Sequence, residues 1–385
     1  MIIATLKEIK DNENRVGITP HGVEELKRFG HRVLVQKGAG LGAGFHDEDY
    51  MNAGAEIMND SAEMVMLADI VVKVKEPLPS EYSLLEKMAD KTLYTYFHLS
   101  AADKALTEAL LKNNITSVAY ETVEDENGHL PLLAPMSQIA GVLAVQYGAQ
   151  YLQKKYHGRG VTLGHVHGAE IARVVIVGGG VVGETAAITV AGMGAHVTLF
   201  EINEARIEQL QTEMKRILGP YLYEHVEIKK PLEPGYSEVL SDCDLLVGAV
   251  LLKGAKAPVV VSEQQVHLMK QGAVIVDVAI DQGGCVWGSH ATSHTEPIYE
   301  IEGKIYCCVA NMPGQVARQS TQALTSATLP YLVKMANDGV IESLKSNERF
   351  ARGLNTYQGK VTYKSVAEDL GLMAKYEEFG KVACL

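Results

Sequence analysis

The chain has 385 residues, 47% of them hydrophobic, which is enough for two domains that each bury a core. Its formal net charge of −12 argues against nucleic acid as a partner, because an acidic surface repels phosphates. The first residues, MIIATLKEIKDNENR, lack a signal-peptide apolar region, and no apolar run approaches the length of a membrane span. We therefore expect a cytoplasmic protein without membrane contact.

Strands and helices alternate through the first 136 residues. Apolar segments predict strands at IIATL, HRVLVQ, DIVVKVK, TLYTYFH and TSVAYET, and helices at PHGVEELKRFG and from Asp47. This alternation predicts a doubly wound α/β sheet. The glycine-rich segment 38–45 is interpreted as a turn, since no acid follows it at the distance that a nucleotide-binding loop needs.

A nucleotide-binding motif runs from Arg173 to Glu201. The apolar strand RVVIV enters GGGVVG, a helical segment follows, and a second strand, HVTLF, ends on an acid. Gly178 permits the tight turn, Gly180 lets the backbone approach a pyrophosphate, and Gly183 lets the helix pack closely on the sheet. The helix N-terminus then faces the phosphates.

Glu201 and Arg206 bear on which dinucleotide binds. The Glu201 carboxylate can accept hydrogen bonds from both hydroxyls of an adenine ribose and would repel a 2′-phosphate, which favours NAD over NADP. Arg206, five residues further on, leaves two alternatives open. Its guanidinium can pair with a 2′-phosphate or stack on adenine.

The order of the segments predicts how the domains are connected. Long helical patterns at SQIAGVLAVQYGAQYLQKKY and GQVARQSTQALTSATLPYLVKMAND join two doubly wound sheets. We expect an NAD-binding Rossmann domain with its linking helix, residues 137–311, inserted into a Rossmann-like substrate domain of residues 1–136 and 312–385.

Four polar residues follow predicted strands, where ligands of open α/β sheets bind: Arg15, Lys75, His98 and Asp281. A guanidinium can grip a carboxylate, although Arg15 considered alone more often forms a surface ion pair with a neighbouring glutamate. A lysine at a strand end is usually solvated, and Lys75 is preferred to Lys73 as a ligand-binding group. His98 is a plausible proton acceptor or a histidine bonded to backbone at the core edge.

Asp281 differs from Asp277, which lies within the apolar run AVIVDVAI and is interpreted as structural and hydrogen-bonded.

Two cations, a histidine and an aspartate beside a nicotinamide suggest hydride transfer with a small carboxylate substrate. The residues alone leave open whether that substrate is an amino acid or a hydroxy acid.

Ordered motifs along the whole chain resemble those of the alanine dehydrogenases. They are KEIKDNENRVGITP, VKVKEPLP, FHLSA, YETV, LPLLAPMSQIAG, VVIVGGGVVG, LVGAVLLKGAKAP, VIVDVAIDQGGC, CVANMPG and ALTSATLPY. The resemblance implies NAD-dependent, reversible oxidative deamination of L-alanine to pyruvate and ammonium by a homohexamer. Arg15 and Lys75 then match the carboxylate-binding pair, and His98 and Asp281 match the acid/base residues.

The resemblance also implies a set of dinucleotide contacts beyond the glycines. These are Ser137, Val181, Val182, Glu201, Arg206, Val250, Leu251, Val278, Ala279, Ile280, Asp281, Val309, Ala310, Asn311 and Met312. The alternative function is the NAD(H)-binding module of a proton-translocating transhydrogenase, which shares this architecture.

Two further patterns are interpreted without assigning them a function. His165 and His167 form an HxH pattern that can bind metal, but no third ligand is evident, so a solvated loop and no metal are expected. The five cysteines lack CxxC spacing and are expected to be buried free thiols.

Overall fold

The computed structural model describes residues 1–231, 236–252 and 257–382. Their contacts divide them into two compact units, one of residues 1–136 and 313–382 and one of residues 137–252 and 257–312. The second unit is thus inserted, in sequence, between two segments of the first. Met312 falls in the second unit.

Fifteen strands are found in the described residues, numbered here in chain order. They are β1 (Ile2–Thr5), β2 (Arg32–Gln36), β3 (Glu56–Met58), β4 (Ile70–Val72), β5 (Thr92–Thr95), β6 (Thr116–Ala119), β7 (Arg173–Val177), β8 (His196–Phe200), β9 (Val226–Lys229), β10 (Leu245–Gly248), β11 (Val274–Asp277), β12 (Ile298–Ile301), β13 (Lys304–Cys307), β14 (Leu354–Tyr357) and β15 (Lys360–Val361). The strands β7 and β8 have the bounds predicted from the sequence.

Fifteen α-helices are found in the same residues. They are α1 (Pro20–Arg28), α2 (Asp47–Asn52), α3 (Ser61–Leu67), α4 (Tyr82–Lys87), α5 (Lys104–Lys112), α6 (Ala134–Tyr151), α7 (Val181–Met193), α8 (Glu204–Tyr223), α9 (Ser237–Leu240), α10 (Glu263–His267), α11 (Ala317–Asp338), α12 (Val340–Lys345), α13 (Glu348–Ala351), α14 (Lys364–Asp369) and α15 (Phe379–Val382). Within the described part of the chain, none of these helices combines the length and apolar character that crossing a membrane requires.

The first unit contains an eight-stranded sheet in the order β15-β14-β6-β5-β4-β1-β2-β3. The strands β1 to β6 are mutually parallel, and β14 runs antiparallel to both β6 and β15. The chain passes from β1 to β2 and β3 on one side and then returns to β4 on the other. This reversal creates a topological switch point at the carboxyl ends of β1 and β4.

The second unit contains a seven-stranded sheet in the order β12-β13-β11-β10-β7-β8-β9. All neighbours are parallel except β12 and β13. From β9 to β13 the order is that of a dinucleotide-binding Rossmann sheet, with its switch point between β7 and β10. The two sheets confirm the predicted α/β fold class of two doubly wound domains.

Each unit has its own apolar core beside its sheet. In the first unit, side chains of β1, β2, β4 and β5 pack with apolar residues of α3, α4, α5 and α14. In the second, side chains of β7, β10, β11 and β13 pack with residues of α9 and α10. Because parallel strands are covered on their faces, they read as continuous apolar runs, which is why the sequence revealed most of them.

A buried ion cluster ties β1 to β4 in the first unit. The Lys73 ammonium donates to Glu8 at 3.1 Å and to Glu81 at 2.9 Å, and each side chain is at most 8% exposed. Burial alone would lower the pKa of Lys73, but the two carboxylates outweigh burial and raise it. The lysine therefore stays charged, and the cluster fixes the segment that follows β4.

We predict that Lys73→Ala lowers the free energy of unfolding by about 3–5 kcal/mol, because it leaves buried carboxylates without their cation. Urea unfolding followed by circular dichroism measures the change. Lys104→Ala is the matched control, since the Lys104–Glu108 pair is exposed and 4.0 Å long. We expect that variant to stay within about 0.5 kcal/mol of the parent. Equal unfolding curves for the two variants would contradict a stabilising role of the cluster.

Candidate functional site

Three of the predicted site residues lie at one edge of the first sheet. Arg15 follows β1, Lys75 follows β4, and His98 follows β5, and these three parallel strands are adjacent. The register pairs Thr5 with Val72 and Val72 with Tyr94, so the strands end side by side. Shared neighbours relate the three side chains: the His98 ring stacks on Tyr96, on which the Arg15 guanidinium acts electrostatically, and both Lys75 and His98 act on Glu76.

Arg15 is buried, at 2% exposure, and is held by Glu13. Its Nε donates to Glu13 Oε1 at 2.7 Å and its Nη2 donates to Glu13 Oε2, while Nη1 lies 3.1 Å from the sulfur of Met136. Burial disfavours the charged guanidinium, but Glu13 outweighs burial, and the pKa of Arg15 is raised. The sequence predicted an ion pair of Arg15 with a neighbouring glutamate at the surface. The pair is present, but it is buried.

Lys75 is also buried, yet it differs from Lys73. Its backbone N–H donates to Glu8 Oε1 at 3.4 Å and its carbonyl accepts from Thr95 Oγ1 at 3.1 Å. Among the described residues, no hydrogen-bond or ion-pair partner of its ammonium is found. Burial would raise the pKa of Glu76, but Lys75 and Lys10 lower it. Lys75 thus places an ammonium near the switch point, whereas the ammonium of Lys73 is bound in the ion cluster.

His98 has a left-handed backbone, with a φ of 48°. Its N–H donates to Glu121 Oε1 at 2.6 Å, and its ring stacks on Tyr96 with 5.7 Å between ring centroids. The strand β5 ends at Thr95, three residues earlier than the segment TLYTYFH predicts. His98 is therefore on the turn that follows the strand and not at the strand's last position.

A buried tyrosine cluster underlies these groups. Tyr94, Tyr96 and Tyr120 meet edge to face, with centroids of Tyr120 at 4.3 Å from Tyr94 and 4.9 Å from Tyr96. Their hydroxyls donate to the carbonyls of Thr328, Leu132 and Lys73, respectively. Burial raises the pKa of all three phenols far above the ordinary value, so they stay protonated at neutral pH.

Sequence reasoning missed two carboxylates near the site residues, Glu8 and Glu121, and it expected the glutamate partner of Arg15 at the surface and not in a buried pair. Glu13 stands two residues before Arg15, and Glu121 follows directly after an apolar strand. An acid in an apolar context at a strand end is the signal that was available. The group that such an acid binds can be identified only when the neighbouring strand is known.

The glycine loop of the second unit has the geometry that its sequence predicts. Gly178 has a φ of 107°, and a Cβ there would lie 2.5 Å from the carbonyl oxygen of Ala249. A Cβ on Gly183 would lie 1.9 Å from the carbonyl oxygen of Gly178, so the helix α7 needs a glycine to approach the loop. A Cβ on Gly180 would meet nothing within 4 Å. The loop is therefore open where a pyrophosphate would approach.

Glu201 and Arg206 hold the loop from two sides. The Glu201 carboxylate accepts from the backbone N–H of Gly179 at 3.0 Å and also from the N–H groups of Ile202 and Asn203. Arg206 Nε donates to the carbonyl of Gly179 at 3.0 Å, and its Nη2 donates to Glu184 at 2.7 Å. The Arg206 guanidinium thus binds the loop and an acid of α7.

The other predicted dinucleotide residues mostly follow the carboxyl ends of strands in the second sheet. Val181 and Val182 begin α7 after β7, Val250 and Leu251 follow β10, and Ser137 lies in α6. Two further runs follow β11 and β13: Val278, Ala279, Ile280 and Asp281, and Val309, Ala310, Asn311 and Met312.

Asp281 is exposed and lies in a 3-10 helix, Val278–Gln282. The predicted strand through residue 280 is wrong, because β11 ends at Asp277. There the fully buried Asp277 carboxylate accepts from the N–H groups of Ala279, Cys285 and Val286 and turns the chain. This confirms the structural role predicted for Asp277.

The remaining sequence features are the HxH histidines and the cysteines. His165 and His167 are exposed in the loop before β7, and no group of three metal-binding side chains is found in the described residues. Cys243, Cys285, Cys307 and Cys308 are buried free thiols. Cys384 lies outside the described residues.

Comparison with known families gives a match over nearly the whole chain. The family model described as "Alanine dehydrogenase/PNT, N-terminal domain" matches residues 4–140, and "Alanine dehydrogenase/PNT, C-terminal domain" matches residues 144–364. The chain belongs to the alanine dehydrogenase/PNT family. This confirms the resemblance found in the sequence motifs.

Relatives from bacteria and an archaeon support this family assignment. The chain is 48% identical over 372 residues to the alanine dehydrogenase of Bacillus subtilis, covering 96% of this chain and 95% of the relative. It is 48% identical over 369 residues to that of Methanococcus maripaludis, with 96% of each chain covered. The alanine dehydrogenase of Mycolicibacterium smegmatis is 46% identical over 372 residues, with 97% of each chain covered.

Solved structures agree with the fold of this family. An L-alanine dehydrogenase superposes with a TM-score of 0.88 at 45% identity, over 96% of this chain and 99% of the other. A transhydrogenase from Sinorhizobium meliloti superposes with a TM-score of 0.77 at 22% identity, over 94% of this chain and 99% of the other, and shares the fold. The family and its Rossmann fold imply a cofactor of the NAD type and small-molecule substrates.

We predict opposite effects of two alanine substitutions in the glycine loop. Gly183→Ala lowers the free energy of unfolding by about 1–3 kcal/mol, since its Cβ would meet the backbone of Gly178. The free energy of unfolding of Gly180→Ala stays within about 1 kcal/mol of the parent value, because Gly180 caps α7 and faces open space.

Gly180→Ala instead weakens NADH binding by at least about tenfold, because the added Cβ would occupy the open space through which a pyrophosphate approaches the backbone and would lengthen its hydrogen bond to the loop. Thermal unfolding and titration of NADH fluorescence measure the two quantities. Wild-type affinity in Gly180→Ala would show that the pyrophosphate does not bind at this loop.

Proposed function

We propose that the chain is an NAD-dependent alanine dehydrogenase that reversibly converts L-alanine, NAD⁺ and water into pyruvate, ammonium, NADH and a proton. The observation that carries the proposal is the grouping of Arg15, Lys75 and His98 at the switch point of the first sheet. Two buried cations suit a substrate carboxylate, and the imidazole suits proton transfer. Relatives at 46–48% identity that carry the name alanine dehydrogenase support the same substrate.

In this proposal each residue has one chemical task. Arg15 and Lys75 bind the carboxylate of L-alanine and fix its α-carbon, which lowers the barrier by positioning alone. A nicotinamide bound there would supply the hydride acceptor, and alanine whose α-ammonium has lost one proton to solvent would then become an iminium. His98 takes a proton from the water that adds to the iminium carbon and returns it to the nitrogen. It then takes the hydroxyl proton as the carbinolamine collapses to pyruvate and ammonia, which leaves as ammonium. Asp281, by family resemblance, stabilises the cationic nitrogen and completes the acid/base pair.

The residues near Glu201 support NAD over NADP. Glu201 follows β8 directly, and Arg206, in the first turn of α8, lies 2.7 Å from Glu184 and 3.6 Å from Glu213. The carboxylates of Glu184, Glu201 and Glu213 would repel a 2′-phosphate beside Arg206. In this proposal Arg206 acts on the dinucleotide indirectly, because it holds the glycine loop by its hydrogen bond to the Gly179 carbonyl and does not stack on the adenine.

We assign the unit of residues 1–136 and 313–382 to substrate binding and the inserted unit to the dinucleotide, on the basis of these two sets of residues. The family resemblance further supports a homohexamer, and the cytoplasm is the location that we expected from the sequence. Its partners are then small molecules: L-alanine, pyruvate and ammonium.

The alternative is the NAD(H)-binding module of a proton-translocating transhydrogenase. The likeness to a solved transhydrogenase supports it only at the level of the fold, at 22% identity. A module that hands hydride to an NADP partner has no task for Arg15, Lys75 and His98 as a carboxylate and proton site. The alternative is therefore less well supported.

The decisive experiment measures NADH formation by absorbance in alkaline buffer, with NAD and L-alanine. Parallel reactions replace L-alanine with L-lactate, L-serine or L-lysine, and NAD with NADP. We expect turnover with L-alanine and NAD to exceed all others. If L-alanine gives no turnover while NADH still binds, the transhydrogenase module becomes the better assignment.

We predict that Arg15→Ala and Glu201→Ala separate the two binding functions. Arg15→Ala should lower kcat/KM for L-alanine about 10- to 150-fold, which corresponds to about 1.5–3 kcal/mol for a charged hydrogen bond, with the KM for NAD unchanged. Glu201→Ala should raise the KM for NAD and leave the KM for L-alanine unchanged. Steady-state kinetics with each substrate varied in turn make the distinction. An unchanged kcat/KM for L-alanine in Arg15→Ala would exclude Arg15 from the carboxylate site.

A further inference from the structure

We propose that Glu121 is a positioning residue for His98: its carboxylate binds the backbone at residues 97–98 and thereby holds His98 in the left-handed conformation that aims the imidazole. The inference rests on the acid/base function proposed for His98. It assigns a task to a carboxylate that neither the sequence motifs nor the comparisons assign.

The first step is the backbone of His98. A φ of 48° is unfavourable for a residue with a Cβ and persists only where the surroundings enforce it. The His98 carbonyl accepts from the N–H groups of both Ala101 and Ala102 at 2.9 Å, so the chain turns sharply after this residue. Such strain at a proposed proton-transfer residue indicates that its orientation matters.

The second step is the source of the constraint. Glu121 Oε1 accepts from the N–H of His98 at 2.6 Å, and both carboxylate oxygens lie within 3.3 Å of the N–H of Phe97. The parallel register pairs Thr95 with Ala119, so Glu121 follows β6 directly beside the residues that follow β5. One side chain therefore binds two N–H groups beyond the end of the strand.

The third step is the orientation of the ring. The imidazole lies parallel to the Tyr96 ring, with an interplanar angle of 5° and 5.7 Å between centroids. Tyr96 is fully buried and its hydroxyl donates to the carbonyl of Leu132 at 2.6 Å, so this ring cannot move easily. With the backbone fixed by Glu121 and one face stacked on Tyr96, the imidazole has few orientations left.

The test compares Glu121→Ala with Glu121→Gln. The alanine variant removes the acceptor, and we expect kcat for L-alanine to fall about 10²-fold, the cost of a misplacement near 1 Å. The KM for NAD should stay within about twofold. The glutamine variant keeps one acceptor oxygen and should restore kcat to within about threefold of the parent. Glu126→Ala, an exposed acid in the same segment, is the matched control and should change neither quantity.

A double-mutant cycle with His98→Ala separates positioning from general support of the fold. If Glu121 acts through His98, Glu121→Ala adds less than about a twofold loss in the His98→Ala background, because coupled residues are not additive. Losses that multiply would overturn the proposal. If Glu121→Ala is insoluble, Glu121→Asp, which withdraws the carboxylate by one methylene, provides the same cycle.

Hydrogen–deuterium exchange provides a measure that is independent of turnover. The N–H groups of Phe97 and His98 should exchange at least tenfold faster in Glu121→Ala, and at the parent rate in Glu121→Gln and Glu126→Ala. Unchanged exchange in Glu121→Ala would overturn the proposal even if the activity fell. Faster exchange in a protein that never deaminates L-alanine would instead support the backbone constraint and reject the proposed function.

Discussion

Charge balance at the carboxyl edge of the first sheet is the constraint on which the proposed substrate site depends. Three carboxylates and three cations are buried there: Glu8, Glu13, Glu81, Arg15, Lys73 and Lys75. Electrostatic contacts connect the first five of these residues, whereas Lys75 acts on the carboxylate of Glu76. Glu8 joins the two sides of the switch point, because it follows β1 yet binds Lys73 and the N–H of Val74 after β4. Removing buried charges singly is costly, so the members of this set depend on one another.

This balance underlies the different functions that we propose for two lysines two residues apart. Lys73 is paired with both Glu8 and Glu81, and Arg15 is paired with Glu13. The three acids equal the three cations in number, but the Lys75 ammonium is bound to none of the three acids. A substrate carboxylate would add the acceptor that its ammonium can bind, so substrate binding also improves the local pairing. The same groups that stabilise the edge therefore prepare it for an anion.

The sequence predicted the fold class and the regular strands well, and for three strands it failed at the carboxyl end for the same physical reason. The segments DIVVKVK, TLYTYFH and AVIVDVAI were predicted as strands to their last residues, but β4, β5 and β11 end at Val72, Thr95 and Asp277. In each case a carboxylate binds the N–H groups that come next: Glu8 for Val74, Glu121 for residues 97–98 and Asp277 for Ala279. Apolar periodicity reveals burial but not which side chain replaces a neighbouring strand as acceptor.

The two candidate sites were predictable to different degrees, because a sequence pattern reveals backbone geometry better than it reveals the partners of side chains. The glycine loop depends on backbone geometry, and each of its glycines has a steric task that the spacing alone reveals, as Gly178 and Gly183 show. Arg15, Lys75 and His98 were predicted by their place after strands and by family resemblance. Glu121, which binds the backbone of His98, was not predicted, and the pair of Arg15 with Glu13 was expected at the surface. A loop built from glycines tolerates changes around it as long as the backbone keeps its path. A site built from buried charges requires each partner, so the substrate edge is the part of this chain where a single substitution changes chemistry and stability together.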